Sequence, residues 1–213
     1  MAVYDLEEQE QLAALKAYWK LYGNLIFTIL TVALAVIVAF QAWNYYQRRQ
    51  AAEASTVYGA LQRAQGAKDT KQIKDLAGTI LDRYPGTYYA AMAALISAKS
   101  AYESGDAKSA KVQLEWVAEH AKAEEFRYIA RLRLAGLLLD EKDYEGALKL
   151  ADAKANAAFA ARFADLRGDI FAAQKKNVDA RSAYQAALNA MDQKNAAFRQ
   201  FVQRKLDSLG GAS

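Results

Sequence analysis

The chain has 213 residues, no cysteine, one proline and a formal net charge of +4 at neutral pH. The absence of cysteine excludes disulfides and thiolate metal sites. The basic residues do not form a stripe with interleaved aromatic residues, so we expect no nucleic acid partner. Alanine accounts for much of the 54% hydrophobic share, and no segment alternates apolar with polar residues at period two. We therefore expect an all-α protein.

The first predicted unit, residues 1–24, is an acidic amphipathic tail. Its apolar residues recur at spacings of three and four: Leu12, Leu15, Trp19 and Tyr22. This pattern predicts a helix over residues 5–22 with one apolar face. We expect Gly23 and Asn24 to loosen the connection to the next segment. The tail is either an interfacial helix without a protein partner or a docking element, and the sequence leaves both open.

The second predicted unit is an uncharged apolar run, residues 25–43. As a helix, its roughly 19 residues would span about 28 Å, close to the hydrocarbon thickness of a lipid bilayer. We predict a single transmembrane helix whose ends are anchored at the headgroups by aromatic residues. These are Trp19, Tyr22, Trp43, Tyr45 and Tyr46. A buried core helix and a cleaved signal peptide are the alternatives. The first usually has only an apolar stripe, and the second begins with basic residues.

The flanking charges do not decide the orientation of this helix. Lys16 and Lys20 precede the run, and Arg48 and Arg49 follow it. The positive-inside rule compares the basic residues on the two sides, and here it finds a tie.

The third predicted domain, residues 44–213, consists of helices separated by recurrent breaks. No proline interrupts the first helix, so we expect it to run from Leu25 to Gln65. Breaks follow at residues 66–69, 85–86, 104–106, 121–124, 141–143, 175–177 and 194–195. We predict about four helix pairs and a C-terminal capping helix over residues 195–209. Its apolar residues lie near one face: Phe198, Phe201, Val202, Leu206 and Leu209.

The second helix of each pair carries an alanine at a repeating position. These residues are Ala77, Ala110, Ala147 and Ala180, at spacings of 33, 37 and 33. The tetratricopeptide period is about 34, and a small residue there lets two helices approach closely. Gly105 and Tyr144 stand where that motif has its turn residues, but its opening aromatic residue is missing. We predict a tetratricopeptide-like solenoid of helical hairpins, with an unrelated helical bundle as the alternative.

No catalytic pattern is present in the sequence. His120 is the single histidine, and without a neighbouring serine or carboxylate constellation we expect it to be a surface residue. There is no glycine-rich phosphate loop and no paired-histidine metal motif. We therefore expect a protein that is not an enzyme and uses no cofactor or metal.

The first helices of the pairs should line a protein-binding groove. Our candidates on the second pair are Tyr88, Tyr89, Met92, Leu95, Lys99 and Tyr102, with Arg131 and Arg133 at the rim. Later groove positions are Ile129, Leu132, Gly136, Leu139, Arg162, Asp165, Asp169 and Ala172. Such a surface suits an extended or unfolded apolar peptide. The alternative is that the apolar residues on this helix all belong to the core.

Three stretches closely resemble a known family. They are residues 7–24, EEQEQLAALKAYWKLYGN, then residues 131–150, RLRLAGLLLDEKDYEGALKL, and residues 163–188, FADLRGDIFAAQKKNVDARSAYQAAL. They resemble the ancillary SecYEG translocon subunits of Gram-negative bacteria, the YfgM-like proteins. The resemblance implies an inner-membrane protein with a cytoplasmic N-terminus and a periplasmic tetratricopeptide-like domain. It also implies association with the SecYEG translocon and with a PpiD-like membrane-anchored chaperone.

We therefore expect a single-pass scaffold in the lipid bilayer that binds the translocon, the chaperone and emerging secreted chains. One alternative is an assembly factor for another envelope complex, such as cytochrome c maturation. The other is a regulator whose cytoplasmic tail tethers a stress-signalling protein.

Overall fold

A computed structural model describes the backbone of residues 6–152, 154–192 and 195–210. These residues form helices and no strand. The helices are α1 Leu6–Gly66, α2 Thr70–Arg83, α3 Tyr88–Glu103, α4 Ala107–His120, α5 Glu124–Asp140, α6 Tyr144–Ala151, α7 Ala157–Ala173, α8 Asn177–Ala190 and α9 Ala196–Ser208. The predicted all-α class is confirmed. The chain divides into two units, Met1–Arg49 and Gln50–Ser213.

The first unit contains the apolar run. Within the described residues, Glu10–Gly66 is the one helical stretch long and apolar enough to cross a membrane, and its most apolar window has a mean hydropathy of 2.5. No residue of that window is buried. A core helix would bury such a window against neighbouring elements, so the core-helix alternative is not supported.

The expected loosening at Gly23 and Asn24 is wrong, because α1 continues through both residues. The indole of Trp19 lies over Gly23, 3.3 Å from the point that a Cβ would occupy. The Thr28 hydroxyl donates a hydrogen bond to the Asn24 carbonyl oxygen over 2.8 Å. The ring fills the space that the glycine leaves, and the helical hydrogen bonding is not interrupted.

The second unit contains four helix pairs, α1–α2, α3–α4, α5–α6 and α7–α8, followed by α9. The internal turns of the four pairs share one backbone geometry. One residue of each turn has a positive φ: Lys68 at 55°, Gly105 at 84°, Lys142 at 62° and Lys175 at 60°. The next residue donates its N–H to the carbonyl five residues back, as Asp106 does to Ala101 over 2.8 Å and Asp143 to Leu138 over 2.9 Å. This is the Schellman arrangement, which satisfies carbonyls at a helix end.

Aspartate side chains begin the second helix in three of these pairs. The carboxylates of Asp69, Asp106 and Asp143 each accept a hydrogen bond from the N–H three residues later. Such caps satisfy amide groups that have no partner inside the helix. Lys176 occupies the corresponding position of the fourth pair and makes no such bond. An aspartate directly after a positive-φ residue therefore identifies three of the four hairpin turns.

The repeating alanines are buried where the paired helices pack. Ala77 is 1% exposed, and Ala110, Ala147 and Ala180 are fully buried. Ala77 belongs to a cluster that joins Leu61 of α1 to α2 and α3. The predicted repeat and its register are confirmed, because all four alanines are buried in the structure.

The break between α6 and α7 was missed by the sequence analysis. α6 ends at Ala151 and α7 begins at Ala157, whereas the alanine-rich sequence between them contains neither glycine nor proline. Arg167 of α7 donates a hydrogen bond to the Ala151 carbonyl oxygen over 3.0 Å. A side chain from the following helix thus satisfies the end of α6.

The predicted capping helix is present as α9. Val202 and Leu206 are buried against α7 and α8, and Phe198 and Leu209 are partly buried beside them. Phe201 does not share this face, because it is 46% exposed. Its ring instead lies 4.5 Å from the Lys205 ammonium.

Candidate protein-binding groove

An open groove of about 530 Å³ runs along the first helices of the last three pairs. We call it the central groove. Its exposed and half-buried lining consists of Lys99 and Tyr102 from α3, Arg133, Gly136, Leu139 and Asp140 from α5, and Leu166 and Asp169 from α7. Buried core side chains, including Leu114 of α4, form its floor. The groove therefore combines apolar surface with charged groups.

Tyr102 is the exposed aromatic residue of the central groove, with 51% of its surface accessible. Its hydroxyl donates a hydrogen bond to the Asp140 carboxylate over 2.7 Å. That hydrogen bond is the main cause that raises the pKa of Tyr102 above its ordinary value. The phenol is thus held in its neutral form and links α3 to α5.

A lysine from the capping helix closes the α7 end of the central groove. The Lys205 ammonium lies 2.9 Å from Asp165 and 2.7 Å from Asp169. Tyr184 donates its hydroxyl to the other Asp169 oxygen over 2.8 Å. Burial raises the pKa of Asp165, with Lys205 acting in the opposite direction, and burial also raises the pKa of Tyr184. The carboxylates are therefore already engaged within the protein.

The basic residues of the central groove are less engaged. Lys99 lies 3.6 Å from Glu103 on the same helix, and both side chains are more than half exposed, so the pair is weak. Arg133 is exposed, and its guanidinium has no hydrogen bond or ion pair with the described part of the chain. We call Arg133 uncommitted, because its charge has no intramolecular partner among the described residues.

Three of the eight candidate binding residues line the central groove, namely Lys99, Tyr102 and Arg133. Leu95, expected to be exposed, is instead buried in the core with Leu114 and Leu134. The neighbouring helices α4 and α5 cover that side of α3.

The other candidates lie elsewhere. Tyr88 is 61% exposed, and its ring lies 6.4 Å from Phe126. Tyr89 is half-buried, with its ring 5.3 Å from that of Tyr58. Met92 and Arg131 are half-buried and do not line the groove. The two tyrosines at the start of α3 thus point to different surroundings.

The later groove positions are partly brought together. Gly136, Leu139 and Asp169 line the central groove, whereas Asp165 is buried beneath Lys205. Asp140 and Leu166 also line the groove, although they are not among the positions predicted from the sequence. Helical spacing of four from Gly136 points to Asp140 and of three from Asp169 to Leu166, so extending the projected faces by one turn finds both.

The aromatic residues at the ends of the apolar run are exposed, and some of them have aromatic neighbours. Trp19 lies 6.1 Å from Phe27, and Trp43 lies 6.1 Å from Tyr46, between ring centroids. Tyr22 and Tyr45 are also exposed. Their predicted anchoring at a membrane surface stays a prediction.

His120 stacks on Trp116, with ring centroids 5.3 Å apart and an angle of 14° between the planes. Its exposed position agrees with the expected surface residue. Among the described residues, no three histidine or acidic side chains converge in a group that would hold a metal ion.

Comparison with known proteins gives consistent matches over nearly the full length. A family model described as a tetratricopeptide repeat-like domain matches residues 16–211. A Neisseria gonorrhoeae protein named ancillary SecYEG translocon subunit is 31% identical, covering 96% of this chain and 98% of its own. Proteins of the same name from Haemophilus influenzae and Escherichia coli are 27% and 24% identical, and each alignment covers at least 97% of this chain and 99% of the relative. No solved structure matches the chain significantly.

Proposed function

The chain belongs to the family of ancillary SecYEG translocon subunits, and we propose that it is a non-catalytic scaffold that binds partner proteins through the central groove. The observation that carries the proposal is the open groove with the exposed Tyr102 ring and the uncommitted Arg133. Aromatic and arginine side chains in a depression dominate the energy of many protein interfaces.

The proposed partners are the SecYEG translocon, a PpiD-like periplasmic chaperone and emerging secreted chains. The names of the relatives support the first partner. A repeat array supports the others, because stacked hairpins present a long surface without requiring a catalytic centre.

We also propose a single-pass location in the inner membrane, with residues 1–24 in the cytoplasm and residues 44–213 in the periplasm. The exposed apolar run supports the membrane location, because a surface of this kind is stable in a bilayer and not in water. The resemblance to the translocon subunits supports this orientation. The flanking charges do not decide it, because equal numbers of basic residues lie on the two sides of the apolar run.

Co-purification from solubilised membranes tests the scaffold. We expect Tyr102→Ala combined with Arg133→Ala to reduce recovery of the translocon or of the chaperone at least tenfold. Tyr88→Ala is the matched control, because Tyr88 is similarly exposed and lies outside the central groove. Equal recovery with the double variant and the control would refute binding through this groove.

A further inference from the structure

We infer that the central groove selects an extended peptide segment in which a carboxylate side chain neighbours an apolar one, with the peptide backbone passing over Gly136. The inference rests on the proposed function, because it specifies the ligand of the same groove. Three features carry it: an open glycine, an uncommitted guanidinium and adjacent leucine side chains.

Gly136 lies in the interior of α5, where glycine costs helix stability relative to alanine. A Cβ at this position would meet no atom within 4 Å, so helix packing does not require the glycine. Gly168 of α7 is different, because the Tyr184 ring occupies the space of its side chain. The missing side chain at Gly136 instead leaves room in the central groove, where a ligand main chain can approach α5 closely.

One basic group of the central groove, Arg133, is open to an acidic ligand. Asp140 accepts a hydrogen bond from Tyr102, and Asp169 is engaged by Lys205 and Tyr184. Arg133, one helical turn before Gly136 and Leu137, has no such partner among the described residues. A guanidinium presents parallel N–H groups that match a carboxylate.

Apolar surface lies on the other side of Gly136. Leu139 and Leu166 are half-buried and border the groove beside the exposed Tyr102 ring. The volume of about 530 Å³ falls within the range of roughly 300–1,000 Å³ that is typical of ligand clefts. One short extended peptide segment can place an apolar side chain against these leucines and a carboxylate against Arg133.

Peptide binding to the full-length chain in lipid nanodiscs tests the selectivity. Fluorescence anisotropy would compare three labelled heptapeptides with the central sequences Leu-Asp-Leu, Leu-Lys-Leu and Ser-Asp-Ser, each flanked by Gly-Ser residues. We expect the first to bind at least tenfold more tightly than either of the others, and its affinity to fall as salt rises. Equal or tighter binding of the lysine peptide would overturn the inference.

Two leucine substitutions test the position of the ligand. Gly136→Leu and Gly78→Leu both place a good helix former at an open interior position of a helix, so both variants should remain folded by circular dichroism. Gly78 does not line the central groove. We expect only Gly136→Leu to reduce the affinity for the Leu-Asp-Leu peptide at least tenfold. Equal affinities in the two variants would contradict the placement of the ligand over Gly136.

Arg133→Gln separates the charge contribution from the groove itself. It should weaken binding of the Leu-Asp-Leu peptide about tenfold and leave binding of a Leu-Ser-Leu peptide unchanged.

If Gly136→Leu reduces translocon recovery while the peptides bind without charge preference, the inference fails and the proposed function stands. If Gly136→Leu changes neither peptide binding nor recovery, both fail. Loss of self-association in Gly136→Leu by ultracentrifugation would identify a second copy as the occupant and also overturn the inference.

Discussion

The aromatic ring of Tyr184 lies directly against the main chain of Gly168, where α8 packs on α7 with no room for a side chain. The Tyr184 hydroxyl also donates to Asp169, one residue further along α7. This contact sets the close approach of the two helices in the last pair and connects their packing to the α7 end of the central groove.

Gly168→Ala should therefore destabilise the fold. Its methyl group would displace the Tyr184 ring, and overpacking of this kind costs about 1–3 kcal/mol. Urea unfolding of residues 47–213 measures the change. Gly78→Ala is the control, because its Cβ meets no neighbour, and it should stabilise by about 0.5–1 kcal/mol. A similar gain from both variants would show that the ring can move away without cost.

Tyr89→Ala and Tyr88→Ala should differ in stability although the residues are adjacent. Tyr89 is half-buried against Tyr58, and removing a partly buried aromatic ring costs about 2–3 kcal/mol, somewhat less than full burial. Tyr88 is exposed, so its removal should change the melting temperature little. Calorimetry of residues 47–213 distinguishes them, and equal melting temperatures would contradict the packing of Tyr89.

Lys142→Gly should stabilise the third hairpin turn. Lys142 has a φ of 62°, a left-handed conformation that costs roughly 1–2 kcal/mol for a residue with a side chain. Part of this gain is lost because glycine is more flexible in the unfolded chain, so we expect about 0.5–1 kcal/mol. Gly105→Ala, at the equivalent turn with a φ of 84°, should have the opposite sign. Denaturant midpoints that move in the same direction would refute this explanation.

Lys205→Met should destabilise the fold in a pH-dependent way. The variant leaves Asp165 and Asp169 without their ammonium partner, which costs about 2–3 kcal/mol at pH 7 because Asp165 is buried and Asp169 is half-buried. Burial already raises the pKa of Asp165, and losing Lys205 raises it further.

The sign of that pH dependence follows from the raised pKa. A carboxyl whose folded-state pKa exceeds its unfolded-state value contributes most stability when protonated, and that contribution decreases as the pH rises through the folded-state pKa. The free energy of unfolding that Lys205→Met loses relative to the wild-type fragment should therefore become smaller as the pH falls from 7 towards 4. Urea titrations across this interval test it, with Lys205→Arg as the charge-preserving control. A deficit that does not change with pH would exclude the ionised pair as its cause.

The orientation proposal predicts the accessibility of engineered cysteines. The native chain contains no cysteine, so single substitutions at Ala2 and Ala51 report each side. A membrane-impermeant thiol reagent added to intact spheroplasts should label the variant at position 51 and leave the variant at position 2 unlabelled. Labelling of position 2 alone would reverse the orientation.

The sequence by itself determined the helical class, the exposed apolar run and the repeat of paired helices. An uncharged run of this length has few stable environments. The buried alanines recur at a nearly constant period because each hairpin packs on the next in the same way. The partner helices carry a matching pattern of small residues. Ala98, Ala135 and Gly168 stand twelve residues before Ala110, Ala147 and Ala180.

Only the tertiary structure decided which side of each helix remains open. Periodicity shows that α3 has apolar residues on more than one side, but burial of Leu95 and exposure of Tyr102 depend on how α4 and α5 pack against it. The end of α6 depends on Arg167, and the state of Asp165 on Lys205, which is 40 residues away in the chain. Such contacts join residues of separate helices, and local helical propensity contains no information about them.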